Sequence, residues 1–119
     1  MFPSGVWEGF WEQKVVGRHA MEQFELHFRS DGSIEGAGTD IVGEFTFGGQ
    51  ANPATGRIRM TKQYIGAHQV QYDGRPDGEG CILGTWTIDM PGFHDTGAFA
   101  LKPALKKPTG NEPIQEIGG

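Results

Sequence analysis

Alternation between apolar and polar side chains is the feature that most constrains the fold of this chain, and residues 57–64 display it most clearly. Successive side chains of a strand point to opposite faces. One face of this segment carries Ile58, Met60, Lys62 and Tyr64, and the other carries Arg57, Arg59, Thr61 and Gln63. The pattern predicts a strand with one buried face. Because a buried charge is costly without a partner or a ligand, Lys62 on that face marks a candidate site.

Seven further segments have the same character. The predicted strands cover residues 5–14, 20–29, 33–40, 43–49, 57–64, 68–73, 81–89 and 97–102, with a longer loop over residues 90–96 that carries His94 and Asp95. Twenty of the 119 residues are Gly, and glycines within strands are typical of sheets that bend sharply. Each connection is short enough to join neighbours. The sequence therefore predicts an all-β fold, an eight-stranded antiparallel up-and-down barrel.

A chain of 119 residues predicts one domain with a single core. We place the barrel domain at residues 1–102 and a Pro- and Gly-rich C-terminal tail at residues 103–119. Leu105, Ile114 and Ile117 are the candidate anchors of this tail. Docking on its own barrel and docking on a neighbouring subunit stay open.

Composition excludes several classes of partner. A net charge of -5 and a pI near 5.2 argue against nucleic acid, which needs a basic surface. No apolar run is long enough to span a membrane, and no basic segment followed by an apolar stretch opens the chain. The single cysteine, Cys81, suits a reducing compartment. We expect a cytoplasmic protein that contacts neither nucleic acid nor a membrane.

Metal and cofactor motifs are not evident. The histidines His19, His27 and His94 lack the spacing of metal ligands, and we expect them in solvent. Gly36-Ala37-Gly38 lacks the strand-to-helix context of a phosphate-binding loop. We therefore expect no metal and no cofactor.

Two sets of residues resemble a known superfamily. Gly5-Val6-Trp7 on the first strand resembles the calycins, the lipocalins and avidins, in which this tripeptide brings a Trp to the barrel bottom. A second series is similar to a small avidin-like barrel domain whose members are mostly uncharacterised. It comprises Gly36, Gly38, Asp40, Gly43 and Phe45, then Lys62 and Tyr64, then His68, Val70, Tyr72 and Gly74, then Gly84 and Trp86. The resemblance implies a calycin-like fold, with Trp7 closing one end, rather than a particular activity.

The meander brings the polar inward-facing residues to one end. Odd strands end where even strands begin, so Asp40, Lys62, Tyr64 and His68 share one end of the barrel. Trp11 and Trp86 should line the same half. The predicted ligand-binding residues are thus Trp11, Asp40, Lys62, Tyr64, His68 and Trp86. Asp40, Lys62, Tyr64 and His68 are also the catalytic candidates.

Three functions fit this arrangement. The first is a binding barrel for a small, partly apolar molecule with an anionic or carbonyl group. The second is a cofactor-free enzyme, an isomerase, lyase or cyclase, with His68 or Asp40 as base, Tyr64 as proton donor and Lys62 as electrophile or Schiff-base amine. The third is a filled barrel that acts as an interaction module. In a purely structural interpretation, Asp40 and Lys62 simply pair inside the barrel.

Outward-facing apolar residues predict self-association. Val6 and Phe10 fall on the outer face of the first strand, and Leu83 falls on that of the seventh. Exposed apolar residues of this kind often mark a subunit interface. We expect a homo-oligomer.

Overall fold

A computed structural model of the protein describes residues 2–104, apart from the side chain of Glu22. It is all-β, and its strands are β1 (Gly5–Gln13), β2 (Gly17–Phe28), β3 (Ser33–Thr39), β4 (Glu44–Ala51), β5 (Ile58–Tyr64), β6 (Gln69–Pro76), β7 (Ile82–Met90) and β8 (Phe93–Pro103). Each strand pairs antiparallel with the next, and β8 pairs with β1 to close the barrel. The predicted fold class is confirmed. The proposed tail anchors Leu105, Ile114 and Ile117 lie outside the described residues.

The predicted loop over residues 90–96 is wrong. β7 continues to Met90 and β8 begins at Phe93, with Asp89 opposite His94 and Met90 opposite Phe93. Pro91 and Gly92 alone form the turn, and Gly92 has a φ of 80°. Proline followed by a glycine with positive φ is the signature of a tight turn. Because this turn holds residues 93–96 in the sheet, His94 and Asp95 are strand residues.

The barrel has two different ends. We call the closed end the one with the chain start and the β2–β3, β4–β5 and β6–β7 loops. There the rings of Trp7 and Phe28 lie 5.6 Å apart, and Phe2 packs against both. The indole N–H of Trp7 donates to the carbonyl of Pro3 at 2.9 Å. The other end, the open end, carries the β1–β2, β3–β4, β5–β6 and β7–β8 turns.

One continuous core fills the barrel between these ends. Its buried apolar members come from all eight strands: Trp7, Met21, Phe24, Leu26, Ile34, Phe45, Phe47, Ala51, Ile58, Met60, Tyr64, Val70, Tyr72, Ile82, Trp86, Phe99 and Leu101. Lys62 is the charged residue buried among them. No helix in residues 2–104 is both long and apolar enough to cross a bilayer.

The outer wall carries exposed apolar residues where the sequence pattern places them. Val6 and Leu83 are each 46% exposed. Phe10 is partly covered, because the guanidinium of Arg18 lies 3.9 Å from its ring centroid. The interface expected on this wall stays a prediction.

Inward glycines allow the strands to approach. A Cβ at Gly38 on β3 would overlap Phe24 of β2 and crowd the ring of Phe45 on β4. Gly48 on β4 points outward, and a Cβ there would meet nothing within 4 Å. Space for a side chain is therefore absent at Gly38 and present at Gly48.

We predict that Gly38→Ala lowers the free energy of unfolding by ~1–3 kcal/mol, because the added methyl group overpacks the core. The matched control Gly48→Ala should be neutral or stabilise by up to ~1 kcal/mol, since Gly is unfavourable within a strand. Urea unfolding measures both. Equal stability of the two variants would contradict the observed strand phase.

Candidate functional site

A cavity of about 380 Å³ occupies the half of the barrel nearest the open end and is accessible to solvent there. Its walls are mainly aromatic and aliphatic: Trp11, Gln13, Val42, Tyr64, His68, Val70, Tyr72, Trp86, Ile88, Met90 and Phe93. Val42, Met90 and Phe93 are exposed and form its rim. This volume falls at the small end of the ~300–1,000 Å³ range of ligand pockets.

A buried ion pair lies beside this cavity. Nζ of Lys62 on β5 is 2.6 Å from Oδ2 of Asp40, and both side chains are 0% exposed. The hydroxyl of Tyr64 donates to the same carboxylate oxygen at 2.7 Å. Strand alternation puts Lys62 and Tyr64 on one face, and Asp40 reaches them from just after β3. Charge-assisted hydrogen bonds of this length are among the strong ones in proteins.

The second oxygen of Asp40 holds the β3–β4 turn. Oδ1 accepts from the backbone N–H of Val42 at 2.9 Å and from that of Gly43 at 3.4 Å. An Asp side chain that bonds the backbone two residues on is a common way to fix a turn. One carboxylate therefore links the interior of the barrel to a loop at its mouth.

The remaining contacts of Lys62 are with soft or aromatic groups. Its ammonium also donates to Sδ of Met21 at 3.3 Å and to the hydroxyl of Tyr72 at 3.5 Å. The ring centroids of Phe45 and Tyr64 lie 4.3 and 4.7 Å from Nζ. An ammonium has three N–H donors, and each has an acceptor here. We refer to Lys62, Asp40, Tyr64, Tyr72 and Met21 as the Lys62 cluster.

An irregularity in β2 brings Met21 into the cluster. Trp7 pairs with Phe24, but Gly9 pairs with Met21, so β2 has one more residue than β1 between these positions. Such a β-bulge changes the phase of a strand. Met21 and Phe24 are both buried as a result, although they stand an odd number of residues apart.

Burial and charge set the ionisation of the cluster. Burial lowers the pKa of Lys62 to about 8, against the opposing effect of Asp40. Burial alone would raise the pKa of Asp40, but the hydrogen bonds from Lys62 and Tyr64 hold it below its usual value. Burial and then the bond to Asp40 raise the pKa of Tyr64. At neutral pH the cluster contains an ammonium, a carboxylate and neutral phenols, with no net charge.

The six predicted ligand-binding residues divide into two groups. Trp11, Tyr64, His68 and Trp86 line the cavity, whereas Asp40 and Lys62 do not. The ring of His68 lies 5.1 Å from that of Tyr64, and the backbone N–H of Tyr64 donates to the carbonyl of His68 at 3.2 Å. Within the described residues the imidazole itself makes no hydrogen bond to the Lys62 cluster. The structure thus brings Asp40, Lys62 and Tyr64 together and places His68 in the cavity wall.

Sequence reasoning missed two parts of the site. Tyr72 shares the inward face with Val70, which the alternation of β6 indicates, but its position between cavity and Lys62 depends on barrel packing. His19, expected in solvent, is half-buried and stacks on Trp11 with 4.3 Å between ring centroids. Among the described residues, the buried Trp11 Nε1 and His19 Nε2 have no hydrogen-bond partner.

Comparisons with other proteins assign no family to this chain. No protein family, no curated protein and no solved structure matches the chain. The barrel is compatible with the calycin-like fold that the sequence resembles. In the described part of the chain, no group of three or more His, Cys, Asp or Glu residues could hold a metal ion.

We predict that Lys62→Met lowers the free energy of unfolding by ~3–5 kcal/mol, because it leaves Asp40 buried and unpaired. Adding Asp40→Asn should recover a large part of this loss, since an Asn keeps an oxygen for the Val42 N–H without a charge. Chemical unfolding of both variants measures the effect.

The matched control is Lys102→Met. Lys102 lies 3.4 Å from Glu8 on the outer wall and is 57% exposed, and exposed pairs contribute ~0–1 kcal/mol. If Lys62→Met is no less stable than Lys102→Met, the Lys62–Asp40 pair is not the buried interaction described here.

Proposed function

We propose that the protein binds a small, largely apolar molecule in the upper cavity. The observation that supports this proposal is the cavity itself, which has a volume of about 380 Å³ and aromatic walls at one end of an otherwise filled barrel. Aromatic side chains supply much contact area for an apolar ligand, and a few polar groups orient it. The same volume is unfavourable for a filled barrel that acts only as an interaction module.

The walls of the cavity favour a ligand without a full charge. The indole N–H of Trp86 already donates to the carbonyl of Glu12 at 2.9 Å, and the hydroxyl of Tyr64 donates to Asp40. Because Asp40 neutralises Lys62, a neutral molecule with a carbonyl group fits this cavity better than an anion.

The geometry disfavours the enzyme that uses Lys62 as a covalent amine. A Schiff base forms only where the amine reaches the substrate carbonyl, and Lys62 is 0% exposed and separated from the cavity by Tyr64 and Tyr72. The hydroxyl of Tyr64 donates its hydrogen bond to Asp40, and the raised pKa of Tyr64 keeps the phenol neutral. The Lys62 cluster therefore acts in our proposal as a fixed floor for the ligand.

We predict that filling the cavity abolishes binding. Val70 and Ile88 line it from neighbouring strands, so Val70→Trp and Ile88→Phe each place an aromatic ring inside. The probe is a propionyl-dimethylaminonaphthalene dye, a neutral aromatic ketone whose fluorescence reports an apolar site. The parent should bind one dye per chain, and each variant should bind at least about tenfold more weakly, ~1.4 kcal/mol.

The control for this experiment is Ile34→Val at the closed end, which costs ~0.5–1.5 kcal/mol of stability without altering the cavity. Overpacking at Val70 costs ~1–3 kcal/mol, so melting temperatures are recorded for every variant. Dye binding that persists in both filled variants, or a parent that binds no dye, would overturn the proposal.

A further inference from the structure

Exposed apolar side chains concentrate at the open end of the barrel. Nine large hydrophobic residues are exposed in the described part of the chain, and seven of them stand in or beside the four turns at this end. We call these seven the loop crown: Val15, Val16, Ile41, Val42, Ile65, Met90 and Phe93. Every turn at the open end contributes at least one. The other two, Val6 and Leu83, lie on the outer wall.

The loops at the closed end have a different chemistry. Asp31, Asn52 and Asp77 each accept a backbone N–H two residues further along the chain, which fixes the three loops with polar side chains. Loops in general are polar and solvated. Asp40 fixes the β3–β4 turn of the open end in the same way. The turns of the open end also carry exposed large apolar side chains, which the three closed-end loops do not.

The size of the crown is that of an interface. Its exposed fractions run from 41% at Met90 to 94% at Val15 and amount to a surface on the order of 700 Å², spread over the four turns around the cavity mouth. A standard protein–protein interface covers ~800 Å² of each partner. One crown against another crown therefore provides the area that a stable dimer requires.

Charge favours a second copy over a membrane as the partner. The net charge of the chain is -5, which opposes an anionic lipid surface. The exposed charges near the crown have both signs: Lys14 precedes Val15 in the chain, and Glu44 and Asp89 lie within two residues of Val42 and Met90. A two-fold axis places the same surface on both partners, so opposite charges of this kind can face each other across it.

We propose that the loop crown is a self-association surface, through which two copies of the chain meet with their open ends together. Val42, Met90 and Phe93 belong both to the crown and to the rim of the cavity. Each copy then covers the cavity of the other. Dimer formation requires no ligand. Only the idea that the dimer covers a bound ligand rests on the proposed function.

Sedimentation equilibrium at micromolar concentration, without ligand, tests this proposal. The test variant is the double substitution Ile41→Ser with Ile65→Ser, because these residues are 78% and 63% exposed and do not line the cavity. Their exposure also means that the fold should be retained, which circular dichroism checks. The parent should be a dimer, and the variant should dissociate at least about tenfold more readily.

The matched control is Val6→Ser with Leu83→Ser on the outer wall, which should leave the dimer intact. A parent that is monomeric at tens of micromolar overturns the proposal, and so does a dimer that the control breaks while the crown variant keeps it. A monomeric parent that sediments with neutral phosphatidylcholine vesicles, and loses this binding in the crown variant, would assign the crown to a membrane instead. None of these outcomes depends on whether the cavity binds the dye.

Discussion

The ion pair between Lys62 and Asp40 is the interaction on which the open end of the barrel depends. An ammonium and a carboxylate removed from water cost several kcal/mol each unless every donor and acceptor is satisfied. Here the three N–H groups of Lys62 meet Asp40, Met21 and Tyr72, and the second oxygen of Asp40 holds the β3–β4 turn. The requirement for these partners fixes the relative positions of β2, β5, β6 and the end of β3.

The cluster also determines what the cavity presents to a ligand. The hydroxyls of Tyr64 and Tyr72 turn towards the ion pair, while both residues line the cavity. A charged pair is thereby covered by aromatic surface, and the cavity above it is chiefly apolar. The polar cluster of the structural interpretation and the cavity of the binding interpretation are therefore both present, and the cluster forms the floor of the cavity.

Some features of the barrel follow from the sequence, and others depend on packing. Alternation predicts all eight strands and the barrel, and the antiparallel meander puts Asp40, Lys62, Tyr64 and His68 at one end, because side-chain parity and strand direction are local properties. The depth of each residue in the barrel is not local. Lys62, for example, lies behind the cavity wall rather than in it. Met21 enters the cluster because a bulge adds one residue to β2, and no alternating pattern marks that bulge. The turn at Pro91-Gly92 is predictable from the sequence, because proline followed by glycine is typical of a tight turn.

The state of Lys62 in solution is the most direct test of the central claim. Nuclear magnetic resonance of the side-chain nitrogen of Lys62 gives its pKa in the parent and in Asp40→Asn. We expect a value of about 8 in the parent and a lower one in the variant, because burial then acts without the opposing carboxylate. A titration near the ordinary value of ~10.4, unchanged by Asp40→Asn, would mean that Lys62 is solvated and unpaired, and would contradict this account.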